Sequence, residues 1–239
     1  MIARAVVCPS PPLLAEDLTG RATVLPDLAG ACADAVARLL ASGPEVVTVV
    51  GGGPATQPWD PGARLDLAAY GPGASGAPGS RAPGLRAPGL PLALGIGAKL
   101  LDDAGYAGPR QLQAVDEHAT PDDCLNLGVA LADDPFRTGL LVVGDGSARR
   151  DPKAPGHLDE RAAPFDAAVE QALRDGDMLA LADLDPRLAR ELMATGRAAW
   201  QVLAGAFESP PPADILYADA PFGVFYLVAV LDPLAAGWP

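Results

Sequence analysis

Two rhythms of apolar residues alternate along the chain. Ile2 to Val7 is a short, largely β-branched run that stops at Pro9, Pro11 and Pro12, which cannot continue a ladder, so it reads as a strand ending in a rigid loop. Leu28, Cys32, Val36, Leu39 and Leu40 then recur at helical spacing, with Asp27 placed to cap the start and Gly43-Pro44 to close the end. Val46 to Val50 is a β-branched run, broken only by Thr48, of the kind buried on both faces, and it feeds into Gly51-Gly52-Gly53-Pro54. Strand, helix and strand with short connections predict βαβ units, which pack as a parallel sheet covered by helices.

The same alternation resumes downstream of an interruption. Residues 71–91 contain Arg81-Ala-Pro-Gly-Leu85 repeated directly as Arg86-Ala-Pro-Gly-Leu90, and this Gly/Pro-rich stretch reads as a low-complexity surface loop. Helical character returns over Ile96 to Ala104, Gln111 to Val115 reads as a strand leading into Asp116-Glu117-His118, and Asp122 to Leu131 reads as a helix. Leu140 to Val143 is a buried strand that leaves through Gly144-Asp145-Gly146-Ser147-Ala148. Helices are expected at Phe165 to Arg174 with Gly176 past the end, at Asp177 to Asp183, and at Pro186 to Thr195 with Asp185 as cap and Gly196 as stop. Ala198 to Ala206 extends the helical region, and Ile215 to Tyr217 and Val224 to Leu231 read as closing strands. The expectation is α/β: a single domain over residues 1–239 with a mostly parallel sheet flanked by helices. In such sheets ligands sit beyond the carboxyl ends of the strands, which directs attention to residues 8–12, 51–54, 116–118 and 144–150.

Composition narrows the function classes. The chain has 239 residues, 49% of them hydrophobic but only 5% aromatic, so its core is built from small aliphatic side chains. A formal charge of −13 repels phosphate backbones and anionic lipid, which excludes nucleic acid and membrane surfaces as expected partners. The N-terminal apolar run is too short for a signal peptide and no apolar run is long enough for a bilayer span. Cys8, Cys32 and Cys124 form no Cys-x-x-Cys pair, so neither a disulfide framework nor a zinc knuckle is implied, and the expected home is the reducing cytoplasm.

Four segments carry a resemblance: Cys8-Pro9-Ser10-Pro11-Pro12-Leu13-Leu14; Val49-Val50-Gly51-Gly52-Gly53-Pro54; Gly144 to Arg150 with Lys153 to Asp159; and Ala220-Pro221-Phe222-Gly223-Val224. In order and spacing they resemble uncharacterised actinobacterial proteins grouped with the catalytic B subunit of class III extradiol ring-cleaving dioxygenases, a superfamily that also holds Memo-like proteins. The resemblance implies an αβ domain of that type, whose active members hold one ferrous ion between two histidines and a glutamate, open to catechol and O₂. Those positions are changed in this sequence. Ser10 stands before Pro11-Pro12 where the first iron histidine is expected, and only Gly51, Gly52 and Gly53 fill the turn of the second. Ala148 follows Ser147 where the base histidine is expected, and Asp219 is merely the nearest acid to the third ligand. The two histidines, His118 and His157, occupy none of these places. No cofactor is therefore expected, Fe(II) entering only if the ligands are displaced to a set such as His118, Asp116, Cys8 and Asp145.

Each candidate residue carries a sharp and a bland reading. As catalytic candidates stand Ser10, Asp116, His118, Asp145 and Ser147: hydroxyls and carboxylates for substrate contact or proton transfer, and an imidazole oriented by neighbouring acids. Against them, Ser10 reads as a turn hydroxyl among prolines, Asp145 as a turn cap, His118 as a surface loop residue, and Gly144 to Ala148 lacks the Gly-x-Ser-x-Gly elbow. As ligand-binding candidates stand Gly52 and Gly53, whose amides suit an anion, and Arg149, Lys153 and His157, part of the densest basic stretch in an acidic chain. Close packing explains the glycines equally well, and solvated charge the cations. Three functions stay open: an iron-free relative that binds or transforms a small molecule, an iron oxygenase with displaced ligands, and a pseudoenzyme scaffold acting through protein contacts, homo-oligomer included.

Overall fold

A computed structural model describes residues 1–15, 24–65, 89–207 and 212–232. Its strands are β1 (Ile2–Cys8), β2 (Val46–Gly53), β3 (Gln57–Trp59), β4 (Arg110–Asp116), β5 (Thr138–Val143), β6 (Asp214–Asp219) and β7 (Tyr226–Leu231). The helices are α1 (Pro26–Ala41), α2 (Leu92–Asp103), α3 (Pro121–Ala132), α4 (Ala162–Asp175), α5 (Met178–Ala182), α6 (Pro186–Glu191) and α7 (Arg197–Gly205). All seven strands join one sheet in the order β3-β4-β2-β5-β1-β7-β6.

The four central strands β4, β2, β5 and β1 are mutually parallel, as the βαβ pattern predicts. The outer strands are not: β3 runs antiparallel to β4, β7 to β1, and β6 to β7. The sheet is thus a mixed one with a parallel centre, rather than mostly parallel. The physical reason at one side is connectivity, since β6 and β7 follow one another through a tight 3-10 turn at Pro221–Gly223, and a short connection permits only antiparallel pairing.

Alternation along the strands sorts side chains to two helical layers. Val6, Val47, Val49, Leu141, Val143 and Val228 pack beneath α1 and α2 with Leu28, Val36, Leu39, Leu94 and Leu101. Their neighbours Val7, Val50, Val115, Leu140, Val142 and Leu227 face α3 to α7 with Val169, Leu173, Leu192, Trp200 and Leu203. Trp200, fully buried, is the largest side chain of a core made mainly of aliphatic residues, with Phe165, Phe225 and Tyr226 as its other buried aromatics.

Several boundaries differ from the sequence reading for identifiable reasons. Helix α1 starts with Pro26 at its first position after Leu25, and Asp27 sits within the first turn without capping it. Helix α6 ends at Glu191 rather than Thr195, because Met193 takes a left-handed φ of 57°. Gly196, expected as a stop, is instead the residue from which α7 starts. Gly176, at φ 68°, ends α4 as expected, and the Asp185 side chain caps α6 by accepting from the Arg187 N–H. Strand β3 was not legible, being three residues long with Pro58 in its centre. The Gly/Pro-rich loop expected over 71–91 lies, except for residues 89–91, outside the described residues.

Candidate functional site

Strand register brings the carboxyl ends of the parallel strands together. Cys8 lies beside Val143, Val143 beside Gly51, and Gly53 beside Asp116. A cleft of about 320 Å³ opens there, lined by Ser10, Gly52, Gly53, Glu117, Asp145 and Thr195, with Leu92 and Ala93 from the start of α2. All four of the expected segments meet at it, and α2 and the α6–α7 junction complete it.

Asp145 is the chemical centre of this cleft. Its Oδ1 accepts the Ser10 backbone N–H at 2.6 Å and its Oδ2 the Ser10 hydroxyl at 3.2 Å, so the Pro9-Ser10-Pro11 loop is tied to the turn after β5. The Asp145 N–H donates to Thr195 Oγ1 at 3.3 Å and its carbonyl accepts from Gly196 N–H at 2.8 Å. By exposed area Asp145 is only partly buried, yet the protein around it is dense enough that desolvation raises its carboxyl pKa from 3.8 to about 6, against the two Ser10 hydrogen bonds that lower it. Tyr226, raised chiefly by burial, also feels the Asp145 charge. A carboxyl poised near neutrality in a cleft has the property a general acid or base needs. Removing the Ser10 hydroxyl in Ser10→Ala is expected to push the Asp145 midpoint above 6, read by ¹³C NMR titration of that carboxyl; an unmoved or lowered midpoint contradicts this contact.

Close backbone approach explains the glycines of the site. A Cβ on Gly144 would lie 2.4 Å from the Cα of Gly196, so the turn after β5 and the start of α7 touch main chain to main chain. A Cβ on Gly51 would meet Ala93 at 2.6 Å and one on Gly53 would meet Ala114 at 2.9 Å. Packing of α2 and β4 thus accounts for Gly51 and Gly53. Gly52 has ordinary room, with Thr195 O at 3.6 Å from such a Cβ.

The other sequence candidates lie apart from Asp145. Ser147 is fully buried: its N–H and hydroxyl donate to Asp166 at 2.8 and 2.6 Å, and Arg150 donates to the same carboxylate at 3.0 Å while its guanidinium sits over the Phe225 ring. Asp166, in the middle of α4, has its pKa raised by burial. Asp116 accepts the His118 N–H at 2.8 Å and so shapes the turn after β4, while the exposed His118 ring lines a neighbouring pocket instead of the cleft. Arg149, Lys153 and His157 sit on the 148–159 loop, and none of the three lines the cleft. Lys153 and His157 are exposed; Arg149 is half-buried, with its Nε lacking a partner.

Thr195 and Arg197 are site residues the sequence reading missed, and Glu117 lay within an expected segment without being singled out. Arg197, only 3% exposed, donates to the Ala119 carbonyl at 2.8 Å, to Gln201 Oε1 at 3.0 Å and to the Glu117 carbonyl, and so clamps the loop that follows β4. Gln201 is in turn anchored to the carbonyls of Ala182 and Leu184. Thr195 stands fifty residues beyond Asp145 and reaches it only through the Gly144–Gly196 contact, which no local pattern announces.

The residues at the strand ends do not fit the ferrous centre that the resemblance implies. Ser10 is bonded to Asp145, the Gly51–Gly53 turn offers no side chain, and Cys8 is sealed in the core beside Cys32, its thiol pKa raised by that neighbour and by burial. Among the described residues no three His, Cys, Asp or Glu side chains converge to hold a metal ion, the set Cys8, Asp116, His118 and Asp145 included. No described helix is long and apolar enough to cross a membrane.

No family model matches the chain, and no curated protein does. Among solved structures it is similar to the crystal structure of uncharacterized protein JW3007 from Escherichia coli K12, at 14% identity and a TM-score of 0.47, over 96% of this chain and 99% of that one.

Proposed function

We propose that the chain is a diverged relative of the catalytic chain of class III extradiol dioxygenases that binds or transforms a small molecule without iron, with Asp145 as its proton-handling group. The observation that carries this reading is the Asp145 carboxyl, raised to about 6 within a cleft at the carboxyl ends of the parallel strands and held by Ser10. A pKa near 6 leaves the group mostly ionised at neutral pH, ready to take a proton, and still acidic enough to return it within one turnover. Ser10 fixes the carboxylate and Thr195 the backbone beneath it, while the amides around Gly52 and Gly53 border the space a ligand would fill. The four resembling segments support the extradiol-type assignment, and the loss of imidazole at Ser10, Gly51–Gly53 and Ala148 supports chemistry that does not run through a ferrous ion.

Protein purified without oxygen and incubated with Fe(II) is expected to retain far less than one equivalent of iron after desalting and to leave catechols uncleaved. A screen of small metabolites by the Asp145 carboxyl ¹³C signal is expected to find ligands that displace its midpoint from about 6. Stoichiometric iron with ring opening would overturn the proposal, and so would ligands that bind elsewhere and leave Asp145 untouched.

A further inference from the structure

We propose that the pocket next to the Asp145 cleft is an anion subsite that holds the carboxylate of a small organic acid. The pocket encloses about 220 Å³ and shares Glu117 and Thr195 with the cleft, so a single ligand reaches both. It rests on the proposed function only in assigning the rest of that ligand to the cleft.

Charge carries the inference. Arg197 lines the pocket while almost wholly buried, and every group its guanidinium donates to among the described residues is neutral: two backbone carbonyls, one amide oxygen and, weakly, the Cys124 sulfur. Hydrogen bonds from Arg197 reach dipoles alone and Asp116 acts on it only through space, whereas buried cations are ordinarily bonded directly to a counter-charge. Arg190, exposed on the same wall, also forms no ion pair among the described residues, and its charge is close enough to Arg197 to depress that group's pKa further below the value burial gives it. Arg197 is also the first residue of α7, whose amino end adds partial positive charge on the same side. An acidic chain has thus gathered two cations around a concave space where, among the described residues, neither is bonded to a carboxylate, although Glu117 stands on the wall.

The remaining walls define the rest of the ligand. Pro186, Met193 and Ala198 give apolar surface, which suits a hydrocarbon body attached to the charged head. Glu117, bordering both spaces, disfavours a dianion through like-charge repulsion, so a monoanionic carboxylate fits better than a phosphate.

Calorimetric titration with benzoate and its uncharged analogue benzamide tests this. Wild-type protein is expected to bind benzoate saturably and benzamide about tenfold or more weakly; Arg190→Glu is expected to weaken benzoate by about tenfold or more. Arg190 is exposed, so the variant keeps the fold, which a thermal melt checks. Arg174→Glu, on the distant α4 surface, carries the same change of net charge and is expected to leave benzoate binding as in wild type. No benzoate binding, equal binding of benzamide, equal weakening in Arg174→Glu, or an undiminished Arg190→Glu overturns the subsite. Failure of the Asp145 reading shows separately, as a carboxyl signal with no midpoint near 6.

Discussion

Asparagine in place of Asp145 is expected to make the protein more stable at pH 7.5, by on the order of 2 kcal/mol, while abolishing any proton transfer in the cleft. The folded-state pKa of about 6 lies above the ordinary 3.8, so between these values the folded chain binds more protons than the unfolded one. Stability therefore falls as pH rises through that window. Below about 4 the group is protonated in both states and costs nothing; above about 6 the full desolvation cost of the carboxylate is present. Asparagine never ionises, and its amide keeps an acceptor for the Ser10 N–H and a donor for the Ser10 hydroxyl. Urea unfolding of both proteins at pH 4 and pH 7.5 reads the effect, and the comparison cancels Asp166, whose pKa is also raised. Stability curves running parallel across that range would show that Asp145 is not held as described. A residue that weakens the fold where it stands is a mark of a functional position, since selection for stability alone would replace it.

Asp166→Ala is expected to act in the opposite direction, with a loss of about 3 kcal/mol or more. The carboxylate is fully buried and accepts from the Ser147 N–H, the Ser147 hydroxyl and Arg150. Alanine strands two buried donors of Ser147 and removes the counter-charge of Arg150, while leaving a void in α4. Relief of the carboxylate's own desolvation offsets only part of this. Asp166→Asn retains the shape and one good acceptor and is expected to lose about 1 kcal/mol. Urea midpoints for the two variants decide the matter: an alanine variant as stable as the asparagine one would mean the Ser147–Asp166–Arg150 network contributes little.

Strands buried on both faces announced themselves in the sequence, because Val46 to Val50 and Leu140 to Val143 are apolar at every position but Thr48, itself β-branched. Helices with one apolar stripe, such as α1 and α4, were equally legible. What escaped was set by tertiary contact. Gln57-Pro58-Trp59 carries a proline and forms a strand only because β4 offers it an edge. At the site, Asp145 and Ser10 were legible as unusual residues at strand ends, though nothing local said that they bond each other across 135 positions. Nothing in the sequence singled out Arg197 or Asp166, since it is packing of α7 and α4 against the sheet that buries them. Ser147 presented the reverse case: its place in a post-strand turn marked it as reactive, whereas α4 closes over it.

The strands at the two rims of the sheet are both poor edges for pairing with another chain. At one rim, β3 is three residues long and Pro58 has no N–H to offer; at the other, β6 begins and ends in exposed aspartates, Asp214 and Asp219. Neither rim is a good template for a further strand, by proline on one side and by charged strand ends on the other, where Asp214 is already paired with Arg38. Among the described residues, growth into a continuous intermolecular sheet is thus disfavoured at both rims.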